Sequence, residues 1–500
     1  MLSKKIKKLI CICSMVSIIG AGFTNFTVAN AATDNYATPY YENVQSSNST
    51  STQNNSDNGI PPEMPTNGQG GEMPSGGFSV DKGSEVKTTG VLLVDGTTET
   101  KNDQDIISSE SNESTVKVTN GGSLTLSDST LNKKSGEMTV EEASDFFGAN
   151  SGVLADAGSS ASIKDTEIST TVSGGNAVFA TGEGTKINLQ NVKINTTGDH
   201  SRGLDATYTA EIDADNVTIN TAGAHCAAVA TDRGEGTVTV KNSTLNTSGN
   251  GSPCIYSTGD INVSDTTGLS KGSSIAVIEG KNSIELNKCD LTGYAIGRGT
   301  GGVDDTGVMI YQSMSGDADN GNGSFSATDS KLTISADSSK YETAPMFFAT
   351  NTNGVINLSN TELSFGSGVF LNVAGNDGEW GQKGSNGGNL KFNADNQTLE
   401  GDITVDNIST LELNLKSSTL KATVNNSNTA KELNISLDEN STWDVTGTSY
   451  VSSIADADSS LENIKDNGNT IYYDNTNSNN AWLNGQTITL SDGGVLAPSK

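Results

Sequence analysis

The segment Ile187-Asn188-Leu189-Gln190-Asn191-Val192-Lys193-Ile194 decides the fold, because it returns. It reappears as Ile212-Asp213-Ala214-Asp215-Asn216-Val217-Thr218-Ile219, and again as Val238-Thr239-Val240-Lys241-Asn242-Ser243-Thr244-Leu245. Each copy alternates apolar and polar positions, stops at one polar residue and resumes with an apolar one. Alternation of period two marks a strand that buries one face. The same frame extends in both directions. Upstream stand Leu124-x-Leu126-x-Asp128-x-x-Leu131 and Ala161-x-Ile163-x-Asp165-x-x-Ile168. Downstream stand Ile261-x-Val263-x-Asp265, Ile284-x-Leu286-x-Lys288-x-x-Leu291, Phe325-x-Ala327-x-Asp329-x-x-Leu332 and Ile356-x-Leu358-x-Asn360-x-x-Leu363.

The intervals between successive polar anchors, from 128 to 360, are 37, 26, 25, 26, 23, 23, 41 and 31. A basic interval near 24, with insertions in the longer ones, is the mark of a solenoid. A second element repeats in the same coils: Val178-Phe179-Ala180-Thr181, Leu204-Asp205-Ala206-Thr207, Ala228-Val229-Ala230-Thr231 and Ile255-Tyr256-Ser257-Thr258. About two dozen residues cannot bury an apolar face alone, whereas stacked coils pair each strand with its copy in the next coil. The expected fold is therefore all-β: a right-handed single-stranded parallel β-helix of about 12–15 coils. Its anchors should form an Asn/Asp column at a bend, a place where these residues tolerate unusual backbone angles. A β-sandwich would need hairpins and antiparallel pairs, against the constant phase of the repeat.

Outside the coils the chain reads differently. Lys4, Lys5, Lys7 and Lys8 precede an apolar run and the small-x-small sequence Ala29-Asn30-Ala31, so residues 1–31 are expected to be a signal peptide. Residues 32–79, rich in Asn, Ser, Gly and Pro, are expected to be a disordered tether. The β-helix is expected over 80–445, with final coils and a cap over 446–500, and Trp443 and Trp482 are expected to cover the open end. The formal charge is −30, and becomes −34 once the four leader lysines are gone. Such a surface repels nucleic acid, and nothing after the leader is long and apolar enough to cross a membrane. Of the three later cysteines, Cys226, Cys254 and Cys289, the reading leaves open buried small side chains or one bridge with a thiol left over.

Further motifs recur: Asp199-His200-Ser201-Arg202-Gly203-Leu204-Asp205, His225-Cys226-Ala227-Ala228-Val229-Ala230-Thr231-Asp232-Arg233-Gly234, Ser252-Pro253-Cys254-Ile255, Met309-Ile310-Tyr311-Gln312 and the Gly-rich stretch after Trp380. With the coil pattern, over about 120–450, these resemble the pectin-lyase-like superfamily, and within it secreted, adhesin-like bacterial proteins. The resemblance implies the β-helix and an extracellular location. It implies little about activity, because one fold carries many functions. Of the motifs of polygalacturonase-type members only Asp304-Asp305 has a counterpart, and the Arg-x-Pro-x-x-Arg setting of pectate lyases has none.

The chain's three arginines, Arg202, Arg233 and Arg298, share one span with both histidines, His200 and His225. Stacking would bring the Arg202–Asp205 and His225–Arg233 segments together on successive coils. Three readings follow. The arginines could pair with Asp205, Asp232 or Glu235 to hold a bend. They could form a ligand groove with Asp205, His225, Asp232, Glu279 and Trp380, in which guanidinium forks grip an acidic sugar. His200, Asp205, His225 and Asp232 could be a catalytic set. Asp317 and Asp319, alternating before Gly321, suggest a calcium turn, the one cofactor expected. The function expected is a secreted, monomeric, non-catalytic binding protein. Its partner would be an extracellular polysaccharide, acidic glycan or cell-surface polymer. A polysaccharide lyase or glycoside hydrolase and a structural spacer are the alternatives.

Overall fold

A computed structural model describes residues 83–298 and 304–499. The chain separates into two units, Met1–Pro74 and Ser75–Lys500, and every described strand belongs to the second. The expected leader and tether therefore lie outside the described residues.

Three long sheets carry the unit. Sheet I has twelve strands, from Thr89–Asp95 to Asp402–Val405. Sheet II has fourteen, from Thr98–Asn102 to Ser453–Asp456. Sheet III has ten, from Asp105–Ser108 to Glu362–Ser364. A four-stranded sheet, Thr398–Glu400 to Ile464–Lys465, serves the last coils. Each coil visits sheets I, II and III in turn, and each strand pairs in parallel with its copy one coil on, as Ile187 does with Ile212 and Ile212 with Val238. This is a parallel β-helix. Fourteen rungs at about 4.8 Å make a stack on the order of 60 Å long. Among the described residues the only antiparallel pairing is terminal, Ile488–Thr489 against Val495–Ser499.

The inward side chains form columns. Leu189, Ala214, Val240, Val263 and Leu286 are one, all buried. Each fully buried aliphatic contributes roughly 1.5–3 kcal/mol relative to exposure. In later coils the filling turns aromatic: Phe325, Phe347, Phe370 and Phe392 pack with ring centroids 5.1–6.0 Å apart. Cys226, Cys254 and Cys289 are buried free thiols.

The anchors are left-handed bends: from Asp128 to Asn360 all nine have φ between 47° and 55°. Asn and Asp accept this region because their short side chains bond locally. Asn216 donates to Asn191, and Asn191 to Asp165, each at 2.8 Å. Lys288 keeps the bend without a carboxamide, at φ 53°.

One register differs from the sequence alignment. Leu204 pairs with Val229 and Ala206 with Thr231, one residue away from the alignment that set Ala228 beside Leu204. A one-residue slip exchanges the faces of a strand. Thr231 therefore turns inward toward Ser257, and Asp232 takes the outward row occupied by Thr181 and Thr207. Small residues on both sides of the strand hid the slip.

At the C-terminal end the 3-10 helix Ser478–Leu483 covers the last strand of sheet II. Asn480 accepts from Ile454 N–H, and Trp482 Nε1 donates to Ile454 O. Trp482 is thus part of the cap as expected, whereas Trp443 lies within the core between Leu420 and Ile464.

Candidate functional site

The long interval between the first two anchors holds an insertion that the repeat does not describe. Part of it is a helix, α1, Glu141–Phe147. Glu141 and Glu142 sit in its first turn, where the helix dipole favours acids, and Gly148 at φ 68° ends it, its N–H bonded to Ala143 O. The helix lies on the outer face of sheet I beside Val178–Thr181. Asn176 donates to Ser144 O and Thr207 to Phe146 O, which fasten it there. Its buried residues include Asp145.

Beneath it the expected residues converge. Arg202 donates from Nη1 to Asp145 Oδ1 at 2.6 Å, while its Nε lies 2.9 Å from Asp232 Oδ2 and 3.5 Å from Asp205 Oδ2. Three carboxylates thus share one guanidinium, and Asp205 is wholly buried while Asp232 is 4% exposed. Burial and the adjoining Asp232 carboxylate push Asp205 well above the usual carboxylate range. Burial also lifts Asp232 to about 7 against the pull of Arg202. Asp145 feels the same burial, but Arg202 and His200 hold it down at about 2. Near neutral pH the cluster keeps a proton between Asp205 and Asp232.

His200 and His225 stand one coil apart at left-handed turns, φ 55° and 57°, with ring centroids 5.2 Å apart. Burial, with Arg298, His200 and Arg202 nearby, pushes His225 down to about 4. Arg298 adjoins His225: both approach the space that a side chain on Gly251 would fill. Its backbone N–H donates to Asp304, and that of Gly297 to Asp305. Arg233 leaves the histidines. Its guanidinium lies 3.7 Å from the centre of the Phe146 ring and donates to Asp317 at 2.7 Å.

Other expected residues take different posts. Glu279, 2% exposed, accepts from the hydroxyls of Tyr256 at 2.7 Å and Tyr311 at 2.9 Å, and from Ser313. Trp380, expected in the ligand groove, is enclosed. It is 4% exposed and packs edge-on against Tyr311, with Met309 and Phe348, under its Gly-rich loop. Of the two aspartates expected at a calcium turn, Asp317 pairs with Arg233 and Asp319 with Lys281 at 3.1 Å. The arginine forks expected to hold an acidic sugar are engaged too, Arg202 and Arg233 both by the protein's own carboxylates. Of the candidate catalytic set, Asp205 and Asp232 are covered, whereas His200 and His225 are half-buried. The reading in which the arginines hold a bend comes nearest, with Asp145 and Asp317 as partners that sequence reasoning missed. Asp145 has no signal but its position inside a long interval, and Asp317 reads as a calcium ligand.

An open groove lies elsewhere, along the anchors of the later coils where sheet III gives way to the four-stranded sheet. It encloses ≈ 1180 Å³ and is lined by Asp265, Lys288, Asp290, Asp329, Lys331, Asn360, Glu362, Phe365, Gln397 and Glu400 among others. Five carboxylates face two lysines there, and Lys331 is paired with Glu362 at 3.1 Å.

Comparison with family models, with curated proteins and with solved structures finds no match.

Proposed function

We propose that this is a secreted, non-catalytic, adhesin-like binding protein that takes a polysaccharide along the side of its coil stack. The observation that carries the reading is the long polar groove beside sheet III. There exposed Asn360, Thr267 and Thr398 offer side chains for sugar hydroxyls, and half-buried Phe365 and Leu363 supply apolar surface. Sites of this kind combine apolar surface with a few orienting polar groups. The acidic lining, in a chain of charge −30, favours a neutral polymer over an acidic one. Export rests on the leader-like residues 1–31 and on the resemblance described above.

Affinity electrophoresis of the full chain in gels containing neutral or acidic polysaccharides tests this. Retardation by a neutral polymer is expected, with binding at least about tenfold weaker in Phe365→Ala/Asn360→Ala, equivalent to about 1.4 kcal/mol. Release of reducing ends or unsaturated sugars would instead establish the enzyme, and absence of retardation in every gel would leave the spacer.

A further inference from the structure

We infer that Glu141, Asp145 and His200 form a site for a divalent transition cation of the zinc type, at the solvent edge of the buried arginine cluster. Glu141 and Asp145 are one turn apart on α1 and project from the same side. Both face His200 across the gap between helix and coil. His200 Nδ1 lies 3.8 Å from Glu141 Oε1 and 3.7 Å from Asp145 Oδ2. Among the described residues this is the one group of three such side chains whose ligand atoms all lie within 4.8 Å of one another. Ligand atoms about 2.0–2.2 Å from a shared zinc stand roughly 3.3 Å apart, so a contraction of about half an ångström brings His200 to that separation from each carboxylate. Asp145 is suited to both neighbours, giving Oδ1 to Arg202 and turning Oδ2 toward His200.

A second observation points the same way. Asp205 is wholly buried beside Asp232, and the one guanidinium of Arg202 has to serve both of them and Asp145. The cluster carries more carboxylate than Arg202 neutralises, and its field draws a cation to the accessible edge, where Glu141 is exposed. The imidazole nitrogen selects against calcium, which takes oxygen ligands, and for zinc and its neighbours.

The test is calorimetric titration of the chelator-treated full chain with zinc chloride, and separately with calcium chloride. One zinc per chain is expected at this site, with binding weakened at least about tenfold in His200→Asn and in Glu141→Gln. Asparagine tolerates the left-handed backbone of residue 200, and Glu141 is exposed, so both variants should keep the far-ultraviolet circular dichroism of the parent. Absence of stoichiometric zinc binding, zinc binding unchanged in both variants, or calcium bound as tightly as zinc would overturn the assignment.

Discussion

At the residue scale, the buried carboxylates should set the pH dependence of stability. An unfolded aspartate titrates near 3.8 and folded Asp232 near 7. The folded chain holds that proton more tightly, so its stabilisation is complete below about pH 4 and is lost as pH rises through 7. Asp205 acts in the same direction. His225 runs the other way, from 6.5 unfolded to about 4 folded, so its contribution is complete above 6.5 and is lost as pH falls through 4. The two trends oppose each other between pH 4 and 7. Asp232→Asn removes the first, and the melting temperature of the variant relative to wild type should rise between pH 5 and pH 8. A flat difference across that range would contradict the shared-proton account. The bends give a second test. Asn216 at φ 54° should tolerate glycine better than alanine by about 1 kcal/mol in urea unfolding, since both lose the bond to Asn191 but only alanine meets the left-handed penalty.

At the scale of elements, the coil strands were legible in the sequence and the insertions were not. The anchors announced themselves because a stacked coil repeats its chemistry at one position. Helix α1 has no copy elsewhere, and the bond from Asp145 to Arg202 spans 57 residues. No local pattern reports such a contact. The slip at Val229–Thr231 had a similar cause: alanines and threonines serve either face, so the pattern fixed the strand without fixing its phase. Asp145→Ala leaves Arg202 beside one well-placed partner and should cost roughly 3 kcal/mol, with faster amide exchange confined first to α1. Equal exchange in wild type and variant would show that the helix is held by its other contacts. At the opposite end, Trp482→Ala with Asn480→Ala uncovers the edge strand Ser453–Asp456, and light scattering should then detect more association than in the parent.

At the scale of the molecule, stacking turns distance along the chain into distance along an axis. That is why the two histidine segments, on successive coils, bring their rings within 5.2 Å, and why a groove can draw its lining from residues as distant as Asp265 and Gly401. Lys193, Thr218, Thr244, Thr267, Asp290, Lys331 and Glu362 stand in one column of sheet III, each paired with the next. Spin labels at residue 193 and, in separate proteins, at 290, 331 and 362 measure that column by double electron–electron resonance, with Cys11 and Cys13 replaced by serine. Parallel stacking predicts separations that grow by about 4.8 Å per coil, near 19, 24 and 29 Å. The step from 290 to 331 should equal that from 331 to 362, although the first spans a longer stretch of chain than the second. Steps that scale with the length of chain between the labels, or that fail to increase along the column, would contradict the stacked-coil architecture.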